Sequence, residues 1–166
     1  MEKLKNGITG LIILNYEELL IEADDNKLIT KEMPLRANAG RIKGNRIAIK
    51  KDLETQTEKA CILAEELGHY YTSTGNILDA NDANNRKQEL RARTWAYNKQ
   101  IGLQGIIACH KAKCRNIHDM AEHLDVTEQF LHDAINCYRS KYGTSINIDN
   151  YIIIFEPTLY VVELFK

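Results

Sequence analysis

The segment CILAEELGHYYTS, Cys61–Ser73, decides how the chain is read. Ala60, Leu63, Ala64 and Leu67 recur at helical spacing, and Thr55 with Glu58 forms a capping box just upstream, so the segment is a helix with an apolar stripe. Residues four apart on a helix share a face, which sets Glu65 beside His69 with Glu66 one step round. The motif H-E-x-x-H uses this arrangement: its outer residues hold zinc, and its inner Glu takes the proton of the attacking water. Here a Glu stands first. A bare E-E-x-x-H is more often a solvated helix face than a metal site. Gly68 shifts that balance, because a glycine inside a helix costs about 1 kcal/mol relative to Ala and marks a place where something packs closely.

Working outward, NYEELLIEA has Asn15 three residues before Glu18, a second capping box, and reads as a helix. KLITKEMPLRA, GRIKG and NRIAIKK follow, rich in β-branched residues and broken by Pro34, Gly40 and the Gly44-Asn45 turn, which predicts a small antiparallel sheet. Beyond the opening segment, the polar loop STGNILDANDANN leads to a helix from about Asn85, with Gln88 as its capping partner, to about Gly102. Helices over Ile117–His123 and Thr127–Lys141 precede a β-rich tail, YIIIFEPTLYVVEL. The predicted class is α+β: a small antiparallel sheet packed on a helix pair, then a helical C-terminal part. One domain over 1–166 is expected, with the sheet and helix pair in 1–102 and the helical segment with its tail in 103–166.

Composition narrows the function classes. A chain of 166 residues, 44% hydrophobic and 27% charged, is long enough to bury one core. Lys and Arg number 22 against 23 Asp and Glu, so the molecule as a whole has no field that attracts nucleic acid or anionic membrane, and any such binding is local. The apolar run Leu11–Leu14 is far too short for a membrane span or signal segment, which predicts a soluble cytoplasmic protein. Cys61, Cys109, Cys114 and Cys137 form no CxxC pair, so four free, mostly buried thiols are expected. In IHDMAEHLDVTEQFLHDAI, Ala121, Leu124, Val126 and Leu131 fit helix-turn-helix spacing around Asp125. From Ile117 to Asp133, however, the segment carries Asp119, Glu122, Asp125, Glu128 and Asp133 and no Lys or Arg, which argues against a DNA contact and for a helical scaffold or protein-recognition surface.

QELRARTWAYN places Glu89 on a stripe with Ala92 and Ala96, small residues suited to close helix packing. A carboxylate on such a face needs a partner: a cation shared with Glu65 and His69, or a salt bridge to Arg86 or Arg93. His110 and Cys114 are four apart but have no second pair, so a surface His and a partly buried thiol are the simpler roles. Tyr70, Tyr71 and Tyr97 can serve an oxyanion but are more often core or interface residues. NRIAIKK is a candidate edge for adding a substrate strand, though a plain half-buried strand is the simpler reading.

The order of a capped helix, a sheet ending in NRIAI, LAEELGHYYT, a polar loop and QELRARTWAYN resembles the ImmA/IrrE family of metallopeptidases, most closely over Gly40–Asn98. That family usually reads HELGH, and chains with AEELGH resemble it too. The resemblance implies His69 and Glu89 as metal ligands, Glu66 as catalytic base, and Glu65 in the place of the first His. It also implies zinc as the cofactor and a protein substrate, a helix-turn-helix repressor of a phage or mobile element. Two carboxylates and one imidazole nearly neutralise a divalent ion, which makes its water less acidic and admits manganese or iron. A non-catalytic antirepressor that captures the repressor without cutting it is the alternative.

Overall fold

The computed structural model describes residues 13–72 and 82–165, so Leu11 and Ile12 of the apolar run and residues 73–81 of the polar loop lie outside the described residues. Asn15 accepts the Glu18 N–H at 3.0 Å while its own N–H reaches the Glu18 carboxylate at 2.9 Å, closing the expected capping box on α1 (Tyr16–Asp25). Tyr16, Leu19 and Ala23 form the buried stripe of that helix.

Three short strands follow: β1 (Ile29–Met33), β2 (Gly40–Lys43) and β3 (Arg46–Lys50). The sheet is mixed rather than antiparallel, with order β1-β3-β2; β2 runs antiparallel to β3 through the Gly44-Asn45 turn, and β1 runs parallel to β3. The six residues from Pro34 to Ala39 carry the chain past β3, so that β1 and β2 flank it. Period-two alternation reports which face a strand buries and carries no information on direction, so the sequence could not give this order. One consequence corrects the expected substrate edge: NRIAIKK forms β3, which is paired on both sides, whereas β2 has an open edge. Ile47 and Ile49 point inward to the core against α2, while Lys31, Arg41, Lys43 and Arg46 stand on the opposite, exposed face.

α2 (Gln56–Thr72) begins with the second capping box, in which the Glu58 N–H meets Thr55 Oγ1 at 3.0 Å and the Thr55 N–H meets the Glu58 carboxylate at 3.2 Å. α3 (Asp82–Gln100) starts earlier than the Asn85 cap would place it, with Asn85 inside its first turn. Asn84 and Asn85 are exposed, and the helix tolerates them at the modest cost of their helix propensity. Gly102, at φ +60°, turns the chain into α4 (Gly102–Lys111), which the sequence reading did not assign. Gly105, Ile106, Ile107 and Cys109 of α4 are all buried, and two glycines in a nearly all-apolar run hide the amphipathic period.

α5 (Ile117–Leu124) and α6 (Glu128–Tyr142) agree with the predicted helices within a few residues, capped by Asn116 and Thr127. Asp125 supplies the left-handed turn between them at φ 51°, and Ala121, Leu124, Val126 and Leu131 are buried as the spacing predicts. The β-rich tail is an antiparallel meander of β4 (Ser145–Ile148), β5 (Tyr151–Ile154) and β6 (Tyr160–Glu163). A continuous apolar cluster runs from Tyr16 through α2, α3, α4 and α6 to Phe155. All four thiols are free, two buried and two partly so. No helix among the described residues is long and apolar enough to cross a membrane.

Candidate active site

α2 and α3 touch backbone to backbone at Gly68. A Cβ there would sit 2.2 Å from the carbonyl oxygen of Ala92, so only glycine permits this approach. Ala92 and Ala96 are fully buried along the same seam. The close crossing brings His69 opposite Glu89, with Nε2 3.3 Å from Oε2, and the second oxygen of Glu89 accepts the Arg93 Nε–H at 2.7 Å. Of the partners weighed for Glu89, the salt bridge is formed, and of the two arginines considered the pairing one is Arg93. Glu89 is not buried as its stripe implied: its side chain is 44% exposed, at the rim of the seam.

Glu66 lies three residues before His69 on the same helix, buried against β2. Burial is the main force lifting its carboxyl to about 7, with the charge of Glu65 adding to it and the backbone N–H of Ile42 opposing it. A Cβ at Gly40 would fall 2.6 Å from Glu66 Oε1 and 2.5 Å from Ile62 Cγ2, so the bare backbone of Gly40 makes the space that Glu66 occupies. The sequence reading saw Gly40 only as a strand breaker. Nothing in one sequence tells a glycine that ends a strand from one that seats a carboxylate.

Glu65 is half-buried, one helical turn before His69. Burial again raises its pKa most; Arg93 draws it down, and Glu89 and Asp133 push it up. Among the described residues no three His, Cys, Asp or Glu side chains converge as a metal-holding group. His69 and Glu89 meet, and Glu65 does not join them. The donor chemistry of this face nevertheless fits a divalent cation: an imidazole nitrogen and a carboxylate oxygen face each other from two helices, and a further carboxylate stands on the helix face of His69.

The remaining candidates have structural roles. The Tyr71 ring stacks on Trp95 at 4.8 Å, and its hydroxyl accepts from Asn26 and donates to Glu22, tying α1, α2 and α3 together. Tyr70 is exposed and meets the Tyr71 ring edge-on. Tyr97 is buried edge-on to Phe130. His110 is exposed and faces the Tyr151 ring, and Cys114 is half-buried, the simpler roles expected of them. The acidic helix-turn-helix unit is fastened to α2 by Thr57, whose hydroxyl donates to Asp125 at 2.6 Å.

No curated protein and no solved structure matches the chain. The family model Peptidase_M78, described as the IrrE N-terminal-like domain, matches residues 27–136, from just before β1 into α6 and across the whole α2–α3 site. The chain belongs to this ImmA/IrrE family of peptidases.

Proposed function

We propose that the chain is a metal-dependent endopeptidase of the cytoplasm that cuts a partner protein, and that His69, Glu89 and Glu65 hold the metal while Glu66 is the catalytic base. The observation that carries this reading is the seam at Gly68, which sets His69 against Glu89 and leaves the buried Glu66 facing the open edge of β2. Zinc is the first choice and manganese or iron the alternatives, since oxygen donors dominate the set. When bound, the metal would polarise the scissile carbonyl and make its water more acidic than bulk water. Glu66 accepts the water's proton as attack proceeds and passes it to the leaving amine. A nearby cation favours its charged form, so the base is present when it is needed. The open edge of β2 orients the substrate: an extended segment added there is held by backbone hydrogen bonds beside Glu66.

The substrate we assign is a helix-turn-helix repressor of a phage or mobile element, a reading supported by the resemblance noted above. One observation favours a second reading, in which the protein captures the repressor without cutting it: Glu65 does not close a three-donor group with His69 and Glu89. Glu66→Gln separates the two. Gln keeps the shape of Glu but accepts no proton from water, so under the peptidase reading the variant retains zinc, stops cutting and co-purifies with intact repressor. His69→Ala and Glu89→Ala lose the metal itself, measured on purified protein. If Glu66→Gln relieves repression as well as the native chain does and no repressor fragments form, the protein acts by capture.

A further inference from the structure

The residues from Lys27 to Lys51 hold eight Lys and Arg against the single acid Glu32, in a chain whose net charge is -1. The fold gathers half of these cations, Lys31, Arg41, Lys43 and Arg46, on the uncovered face of the first sheet, around a hollow of about 630 Å³ that Ile29 and Met33 also line. Among the described residues none of the four is in an ion pair. Arg41 and Lys43 lie on β2, the strand with the open edge, and the N–H of Ile42 between them points at Glu66. A strand added to that edge presents alternate side chains to the two faces of the sheet. Those beside Arg41 and Lys43 would lie on the basic face.

We propose that Arg41 and Lys43 select an acidic substrate segment: an extended stretch of the partner protein that lies along β2 with Asp or Glu at alternate positions. Opposite charges on neighbouring strands attract and like charges repel, so the two residues read the segment's charge pattern while its backbone is held at the edge. Nucleic acid is the weaker fit for this face. Strands β1, β2 and β3 carry no aromatic side chain for bases to stack on, and Ile29 and Met33 add aliphatic surface among the cations. The inference rests on the peptidase reading for the role of β2, but its test needs no cleavage.

Fluorescence anisotropy of the full chain carrying Glu66→Gln provides that test, with three short labelled peptides alternating Thr with Glu, Lys or Ser, and a short labelled DNA duplex. The Thr–Glu peptide should bind roughly tenfold more tightly than the Thr–Lys peptide at low salt, and the gap should narrow as salt rises. Arg41→Glu with Lys43→Glu should invert the preference, and the milder pair Arg41→Gln with Lys43→Gln should abolish it, with thermal melts confirming that both variants fold. Equal binding of the three peptides, or a preference unmoved by these substitutions, overturns the proposal. So does a duplex that binds and is released by the same substitutions while the peptides do not discriminate. Charge-selective binding with no cleavage by the native chain would uphold the proposal and sink the peptidase reading, whereas cleavage of a protein substrate indifferent to both variants would do the reverse.

Discussion

Gly68→Ala sets two effects of opposite sign against each other. Alanine in place of glycine inside a helix is worth about 1 kcal/mol of added stability on propensity alone. Against this, the new Cβ would lie 2.2 Å from the Ala92 carbonyl oxygen, short of an ordinary contact of roughly 3.5 Å by about 1 Å. The obstacle is backbone, so no rotamer change relieves it and the two helices must part. Overpacking of this kind costs about 1–3 kcal/mol, and a rigid neighbour puts it at the upper end. The net is a loss of about 2 kcal/mol, or roughly 4–8 °C in Tm for a domain of this size, read by thermal unfolding of the metal-free protein. The same separation lengthens the 3.3 Å approach of His69 to Glu89, so zinc affinity, read by competition with a chromophoric chelator, should fall about 10- to 100-fold. A Tm equal to or above that of the native chain would show that the seam is looser than described and that the placement of His69 does not depend on Gly68.

Gly40→Ala should cost both stability and activity, because its Cβ meets the stiff Ile62 Cγ2 as well as the Glu66 carboxylate, of which only the second can swing away; Tm should fall by the equivalent of about 1–3 kcal/mol while cleavage falls about 100-fold, a comparison of melts with kcat/KM. In the metal-free chain Glu66 titrates at about 7 when folded, against 4.5 for its ordinary value, so the native state keeps a proton that the unfolded chain has lost. The contribution of this group to stability is therefore fullest below about pH 4.5 and falls by up to about 3 kcal/mol as pH rises through 7, and Glu66→Gln should remove that fall from denaturant titrations across this range. Glu65→His replaces a charged donor with a neutral one and should tighten zinc and shift the alkaline rise of activity to lower pH, checked by chelator competition and a pH–rate profile; zinc affinity and a pH profile unchanged from the native chain would count against Glu65 as a ligand.

What could be read in the sequence was local. The capping boxes at Asn15–Glu18 and Thr55–Glu58 and the turn near Asp125 each involve residues within a few positions of one another, and each is present as read, the structure adding the left-handed conformation of Asp125. Gly68 was legible as a close approach because its cost inside a helix demands a reason, although the sequence could not name Ala92 as what approaches. The order of β1, β3 and β2 was hidden, since direction leaves no mark on alternation. α4 was hidden because two glycines interrupt a short, largely apolar run and blur the period that reveals a helix. The seat that Gly40 makes for Glu66 joins residues from a strand and a helix, and a single sequence holds no record of such a pairing.

The exchange of His for Glu at position 65 has a counterpart across the seam. A neutral imidazole there would add no charge; Glu65 adds one, and among the charged groups around it Arg93 is the first to oppose the rise of its pKa. The same guanidinium bonds Oε1 of Glu89 at 2.7 Å, leaving Oε2 turned toward His69. The carboxylate is thus divided, with one oxygen fixed by Arg93 and the other presented where a cation held by His69 would need it. Arg93 and Glu89 are each close to half exposed, so the pair contributes little to stability. Its effect lies in orientation, the part that hydrogen-bonded partners behind a ligand play at metal sites. On the proposed ligand set, the arginine fixed behind Glu89 offsets part of the extra negative charge that Glu65 would bring, and this is the physical reason we propose for EELGH standing where the resembled family usually reads HELGH.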